Sequence, residues 1–183
     1  MKKAVLLLMI IGMICITGCG LTKGKKEEPT EKIEINQKIV LIYEYINYAD
    51  TPTYRGFYVN SECRKVQFDF SENAKSFIKE KKGYITDDDI YQLLMDTDEA
   101  ESEEFLTRED ISKCYKLLSK IKDDYEFVEK SYGADRGIYC WSGVLDDGVN
   151  PPKFILLSEK GDWEGVNTDK NAKRIMKILN KAE

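Results

Sequence analysis

The 183-residue sequence contains no histidine, and that absence excludes whole classes of chemistry. Ser-His-Asp and Cys-His catalysis, the usual zinc hydrolase sites and histidine-based pH switching all lose their central residue. Other signatures are missing too. There is no Cys-x-x-Cys pair, no Ser-x-x-Lys or Gly-x-Ser-x-Gly nucleophile motif, and no internal repeat. Basic residues are outnumbered: 28 Lys and Arg face 33 Asp and Glu, for a net charge of −5. This balance argues against nucleic acid as a partner and against a basic membrane-surface patch. What remains is carboxylate, Lys, Tyr, Ser or Cys chemistry, and no pair of acids is singled out by spacing as a catalytic couple. The sequence therefore names no catalytic residue, metal site or cofactor.

The first residues are organised differently from the rest. Lys2 and Lys3 precede an apolar run from Ala4 to Ile16, closed by Thr17, Gly18 and Cys19. The run is shorter than the ~20 residues needed to cross ~30 Å of hydrocarbon, so it predicts a cleaved export signal rather than a permanent span. Ile16-Thr17-Gly18-Cys19 resembles the lipobox of bacterial lipoproteins. That resemblance implies cleavage between Gly18 and Cys19, a thioether-linked diacylglycerol on Cys19, and fatty acylation of the new amino terminus. It places the protein on the outer face of the cell membrane, held by its lipid anchor, since stable anchoring needs more than one acyl chain. Loss of residues 1–18 removes two lysines and no acid, so the mature net charge becomes −7. Residues 19–37, rich in Gly, Lys and Glu, predict a flexible tether.

Residues 38–183 suit a single domain. Lys38 to Tyr48 is apolar or aromatic on both alternating faces, the pattern of a strand covered on both sides. Gly56–Asn60 and Arg64–Phe70 predict a hairpin whose second strand, with Val66, Phe68 and Phe70 alternating with Gln67 and Asp69, has one wet face. Ser71 opens a helix to about Lys82. Thr86 with Asp89, and Thr107 with Asp110, are capping-box-like starts for helices over Asp87–Met95 and on to about Lys122. Asp96–Glu104 reads as an acidic loop. Extended segments follow at Tyr125–Tyr132, Gly137–Val144 and Lys153–Ser158. A final helix from about Thr168 puts Ala172, Ile175, Met176 and Leu179 on one side. The order predicts an α+β fold: a mainly antiparallel sheet with helices packed on one face.

The most specific-looking segment is Gly161-Asp162-Trp163-Glu164-Gly165. Trp163 flanked by Asp162 and Glu164 on a loop would stack on a sugar or other ring; equally, it would be a glycine-bracketed turn whose tryptophan plugs the sheet edge. Asp87, Asp88 and Asp89 complement a helix dipole without any ligand. The acids from Asp98 to Glu104 are either a solvated loop or a surface for a cationic partner. Tyr43, Tyr45 and Tyr48, with Tyr54 and Tyr58, would line a groove or simply pack in strands. Cys63, Cys114 and Cys140 read as small buried hydrophobes. Beyond the lipobox, the Tyr-rich first strand with Asn47-Tyr48-Ala49, Phe68-Asp69-Phe70 and the Trp163 segment are similar to small lipoproteins of Gram-positive bacteria, which implies a shared fold and brings no activity with it. The expected role is a lipid-anchored binding module whose partner is an envelope protein, a peptide or a glycan. The alternative is a carboxylate-dependent hydrolase of cell-wall or carbohydrate substrates.

Overall fold

The computed structural model describes residues 34–47, 52–81, 86–122, 125–129 and 137–182, with nothing said of the side chains at 77–81 and 127–129. Cys19, the signal segment and Tyr48 lie outside the described residues. Eight strands form one sheet in which every neighbouring pair is antiparallel. They are β1 Ile39–Asn47, β2 Thr53–Asn60, β3 Arg64–Asp69, β4 Glu103–Glu104, β5 Tyr125–Glu129, β6 Ile138–Leu145, β7 Lys153–Gly161 and β8 Glu164–Asn167. Among the described residues, four helices accompany them: α1 Ser71–Lys81, α2 Asp87–Met95, α3 Arg108–Leu118 and α4 Lys170–Ala182. The spatial order is β4-β3-β2-β1-β6-β7-β8-β5, so β1 and β6 form the centre. The α+β class with a mainly antiparallel sheet is the class expected.

The helices do not share one face. They divide into two pairs. Side chains alternate along a strand, and the apolar residues of β1 accordingly separate into two clusters. Leu41 joins Val59, Trp141, Ile155 and Leu157 beneath Ile111, Cys114 and Leu118 of α3 and Ile175 and Leu179 of α4. Ile42 joins Tyr54, Tyr58, Val66, Phe68 and Val144 beneath Ala74 of α1 and Ile90, Tyr91 and Leu94 of α2. A strand apolar on both sides needs cover on both sides, and that requirement distributes the helices.

Local chemistry sets the boundaries. Thr86 and Asp89 complete a capping box at the start of α2, and the Thr107 hydroxyl accepts from the Asp110 amide at the start of α3. The Asn60 side chain accepts from the amides of Glu62 and Arg64, closing the β2–β3 turn. Gly143 on β6 lets α3 approach closely: a Cβ there would sit 2.0 Å from a methyl carbon of Leu118.

Several boundaries differ from the sequence reading: β2 starts at Thr53 rather than Gly56, β7 runs to Gly161 rather than Ser158, and Glu103–Glu104, at the end of the expected acidic loop, pair with β3 as β4. The helix begun by Thr107 stops at Leu118 rather than Lys122, capped by Ser119. The tether ends earlier than Gln37: Ile35 packs against the α3/α4 core, and buried Gln37 donates to the Val144 carbonyl and accepts from the Asp146 amide. Residues 164–167 are a strand paired with β7 and β5, not part of a loop leading to the last helix.

Candidate functional site

Two features stand out, one on each face. The first is a groove of about 510 Å³ on the α3/α4 face, beyond the part of the sheet that those helices cover, lined chiefly by Tyr43, Tyr45, Phe57, Tyr139, Arg55 and Asp69. The register of β2, β1 and β6 assembles it, because Tyr43 stands opposite both Phe57 and Trp141, and Tyr45 opposite Arg55 and Tyr139. The rings touch in a chain: Tyr45 to Tyr139 at 4.7 Å between centroids, Tyr43 to Phe57 at 5.2 Å and Tyr43 to Trp141 at 4.9 Å. The Arg55 guanidinium lies 5.6 Å over the Tyr45 ring. Tyr139 is 45% exposed, one of few large apolar side chains left open to solvent among the described residues. The wet face of β3 adds Gln67 and Asp69 to the rim. Such a surface offers flat apolar platforms edged by planar hydrogen-bonding groups.

The second feature is a row of polar residues on the α1/α2 face. Glu44 of β1 pairs with Cys140 of β6, and Cys140 with Glu159 of β7, so two carboxylates flank one thiol across three neighbouring strands. Adjacent strands lie about 4.8 Å apart, which separates the two glutamate Cα atoms by about 10 Å. Glu44 is pushed up to about 7 because burial disfavours its charge, an effect that the hydrogen bond from the Tyr54 hydroxyl only partly offsets. Glu159 accepts from the Tyr125 hydroxyl, from the Trp163 indole at 3.0 Å, and from the Cys140 thiol at 3.9 Å. Gly165 makes the Tyr125 contact possible, since a Cβ there would fall 1.8 Å from that hydroxyl oxygen. Burial and the two neighbouring carboxylates raise the Cys140 thiol and keep it protonated, the opposite of what a nucleophilic cysteine requires.

The residues singled out at the Trp163 turn do not form one site. Trp163 is half-buried and turned onto Glu159. Asp162 is buried and exchanges hydrogen bonds with Gly137: its carboxylate accepts from that amide at 3.2 Å and its own amide donates to that carbonyl at 3.1 Å. Glu164 is in β8, opposite Lys160 and Glu129, on the other side of the strand from Gly165. The acidic stretch after α2 is also partly structural. Burial raises Glu99, but hydrogen bonds from Lys38, Tyr58 and Asn60 outweigh it and hold the carboxyl below its ordinary range. Of the tyrosines proposed for a groove, Tyr43 and Tyr45 line it, whereas Tyr54 and Tyr58 are buried on the opposite face. Cys63, Cys114 and Cys140 are free and buried. Among the described residues no group of three or more Cys, Asp or Glu is placed to hold a metal ion, and no helix is long and apolar enough to cross a membrane.

Sequence reasoning missed Arg55, Gln67, Tyr139, Glu44 and Glu159. The alternation of Tyr139 with Cys140 was the available signal for the first group, and Glu44, a charge inside a two-sided apolar strand, was the signal for the second.

The fold is an antiparallel α+β sheet with helices on both faces, carrying an aromatic groove on one of them. No protein-family model, no curated protein and no solved structure matches the chain.

Proposed function

We propose that this chain is a lipid-anchored binding module on the outer face of the cell membrane, attached through Cys19, and that it takes a glycan of the envelope in the aromatic groove. The groove carries the reading. Tyr43, Tyr45 and Tyr139 supply ring faces for the apolar side of a sugar, and Arg55, Gln67 and Asp69 supply planar hydrogen-bonding partners for its hydroxyls. A cavity of about 510 Å³ suits a ligand of a few rings. Titration of the full chain with soluble cell-wall glycan fragments, followed by calorimetry, tests it. Saturable binding that Tyr139→Ala weakens at least tenfold is the expected result, and no binding to any fragment refutes it. Lipidation is tested separately: Cys19→Ala abolishes incorporation of labelled fatty acid, and label retained by that variant refutes the anchor.

One observation favours a second reading, a carboxylate-dependent hydrolase. Glu44, proton-holding near neutrality, and Glu159 face the same side of the sheet beside Trp163. Cys140 stands between them in the row, buried, where a reacting sugar would have to sit, and for this reason binding is the preferred function. Release of reducing ends from wall glycan, lost in Glu159→Gln, would reverse that preference.

A further inference from the structure

The acidic net charge conceals a segregation of charge between the two faces. On α3 and the two turns after it, Arg108, Lys113, Lys116, Lys120 and Lys122 are all exposed; on α4, so are Lys170, Lys173, Arg174, Lys177 and Lys181. α4 contains no acid at all. Of the acids near these helices, Asp110 hydrogen-bonds Thr107 at the start of α3, Asp169 accepts from the amides of Lys122 and Asn171, and Glu109 is exposed beside Arg108 in the first turn of α3. None of the ten bases is ion-paired with another described residue; the ion pairs involve Lys38, Lys65 and Lys75. Residues 86–104, which include α2 on the opposite face, hold nine acids and no base. The expectation that an acidic chain lacks a basic surface patch fails because composition averages these two regions.

We infer that the α3/α4 layer is a docking surface for the anionic headgroups of the bilayer to which the chain is anchored. This inference rests on the lipid-anchor reading. Two observations identify the occupant as lipid. The first is charge complementarity, since ten cations with no ion pair among the described residues, on one side of an anchored chain whose net charge is −7, present a local field that anionic lipid attracts. The second is where the chain enters the domain. Glu34 and Ile35 line a cleft of about 540 Å³ with Ser61 and Glu62 of the β2–β3 turn and Arg108, Ile111 and Ser112 of α3, so the segment leading from Cys19 joins the domain beside the first turn of α3. The 16 residues from Cys19 to Glu34 span at most about 55 Å when extended, which keeps the domain at high effective concentration over the bilayer. Docked in this way, the basic helices lie against the headgroups and the acidic α2 region faces away from the membrane.

The test uses the lipidated chain beginning at Cys19 on vesicles of phosphatidylcholine alone or of phosphatidylcholine with 30% phosphatidylglycerol. Lysine acetylation is followed by mass spectrometry. At low salt, Lys173, Lys177 and Lys116 should react about tenfold more slowly on the anionic vesicles, with Lys38 and Lys75 unchanged, and protection should vanish at high salt, where the screening length shrinks to about 3 Å. Lys173→Glu with Lys177→Glu, both exposed and outside the core, should remove the protection at Lys116 without loss of fold. Equal labelling on the two vesicle types would overturn the inference. So would equal protection by soluble poly(glycerol phosphate), which would make the surface a site for a wall polyanion. Flotation separates the two readings. Failure to float with phosphatidylcholine vesicles refutes the anchor, whereas salt-sensitive flotation with anionic vesicles alone upholds the docking surface without it.

Discussion

On one face of the sheet, α3 and α4 cover a core around Trp141 and, with the residues just after α3, turn ten exposed cations outward; on the other, α1 and α2 cover a core around Tyr58, and the stretch from Asp87 to Glu104 turns acids outward. Both faces bury their apolar residues through the same strand, β1, with Val40 and Leu41 in one core and Ile39 and Ile42 in the other across an irregularity at the start of the strand. They differ in what lies beyond the helices. The basic face continues into an aromatic groove, whereas the acidic face continues into the Glu44-Cys140-Glu159 row. Burial requirements fixed the fold on both sides without constraining what each side presents to its surroundings, so charge and exposed aromatic area are the quantities in which function can differ.

The comparison is broken most forcefully by emptying each core in turn. Leu118 on the basic side and Leu94 on the acidic side are both fully buried. Replacing either by alanine should cost about 3 to 5 kcal/mol, the transfer loss plus the cavity left behind. Because both cores share β1, each variant should unfold in one transition, with circular dichroism and tryptophan fluorescence coinciding. Two separated transitions in Leu94→Ala would show that the faces are independent folding units.

Next in size is the buried acid of the second face. Glu44 has a folded-state pKa of about 7 against an ordinary 4.5, so the folded chain holds this proton more tightly than the unfolded chain does. Stability is therefore fully present below about pH 4.5, falls as the pH rises through 7, and is flat above it. The difference is about 3 kcal/mol at most. Glu44→Gln keeps an acceptor for the Tyr54 hydroxyl and cannot ionise. It should abolish this slope and be the more stable protein at pH 8 in thermal unfolding. A wild-type slope that persists in Glu44→Gln would place the titration elsewhere.

Much of the fold was legible because its signals are local. The Thr86 and Thr107 caps, the Asn60 turn, the wet face of β3 and the stripe of Ala172, Ile175 and Leu179 each depend on residues a few positions apart, and each occurs where the spacing put it. The sites were less legible because both are non-local. Tyr139 reaches the groove only because β6 pairs with β1, about a hundred residues earlier in the chain, and the Glu44-Cys140-Glu159 row exists only in that register. The helix distribution could be inferred from β1, whose two apolar faces require two layers of cover.

A smaller effect separates function from packing at the groove. Tyr139 is substantially exposed, so Tyr139→Ala should change unfolding stability by no more than about 0.5 to 1 kcal/mol. Glycan affinity should fall by tenfold or more. If stability falls and affinity does not, the ring chain from Tyr45 to Trp141 is a packing device.

The smallest contrast lies at the helix starts. At α2 the Thr86 hydroxyl and the Asp89 carboxylate satisfy each other's backbone amides, the amide of Asp89 donating to the hydroxyl at 3.3 Å and that of Thr86 to the carboxylate at 3.2 Å. At α3 the Thr107 hydroxyl accepts from the Asp110 amide at 3.1 Å and donates to the Asp110 carboxylate at 2.8 Å. Thr86→Ala and Thr107→Ala should each cost about 1 kcal/mol by chemical denaturation. The second should cost slightly more, because Thr86→Ala leaves the Asp89 carboxylate its bond from the backbone amide of residue 86, whereas Thr107→Ala removes the hydroxyl that donates to the Asp110 carboxylate. A larger loss for Thr86→Ala would mean that the hydroxyl, rather than the backbone amide of residue 86, holds the Asp89 carboxylate at the start of α2.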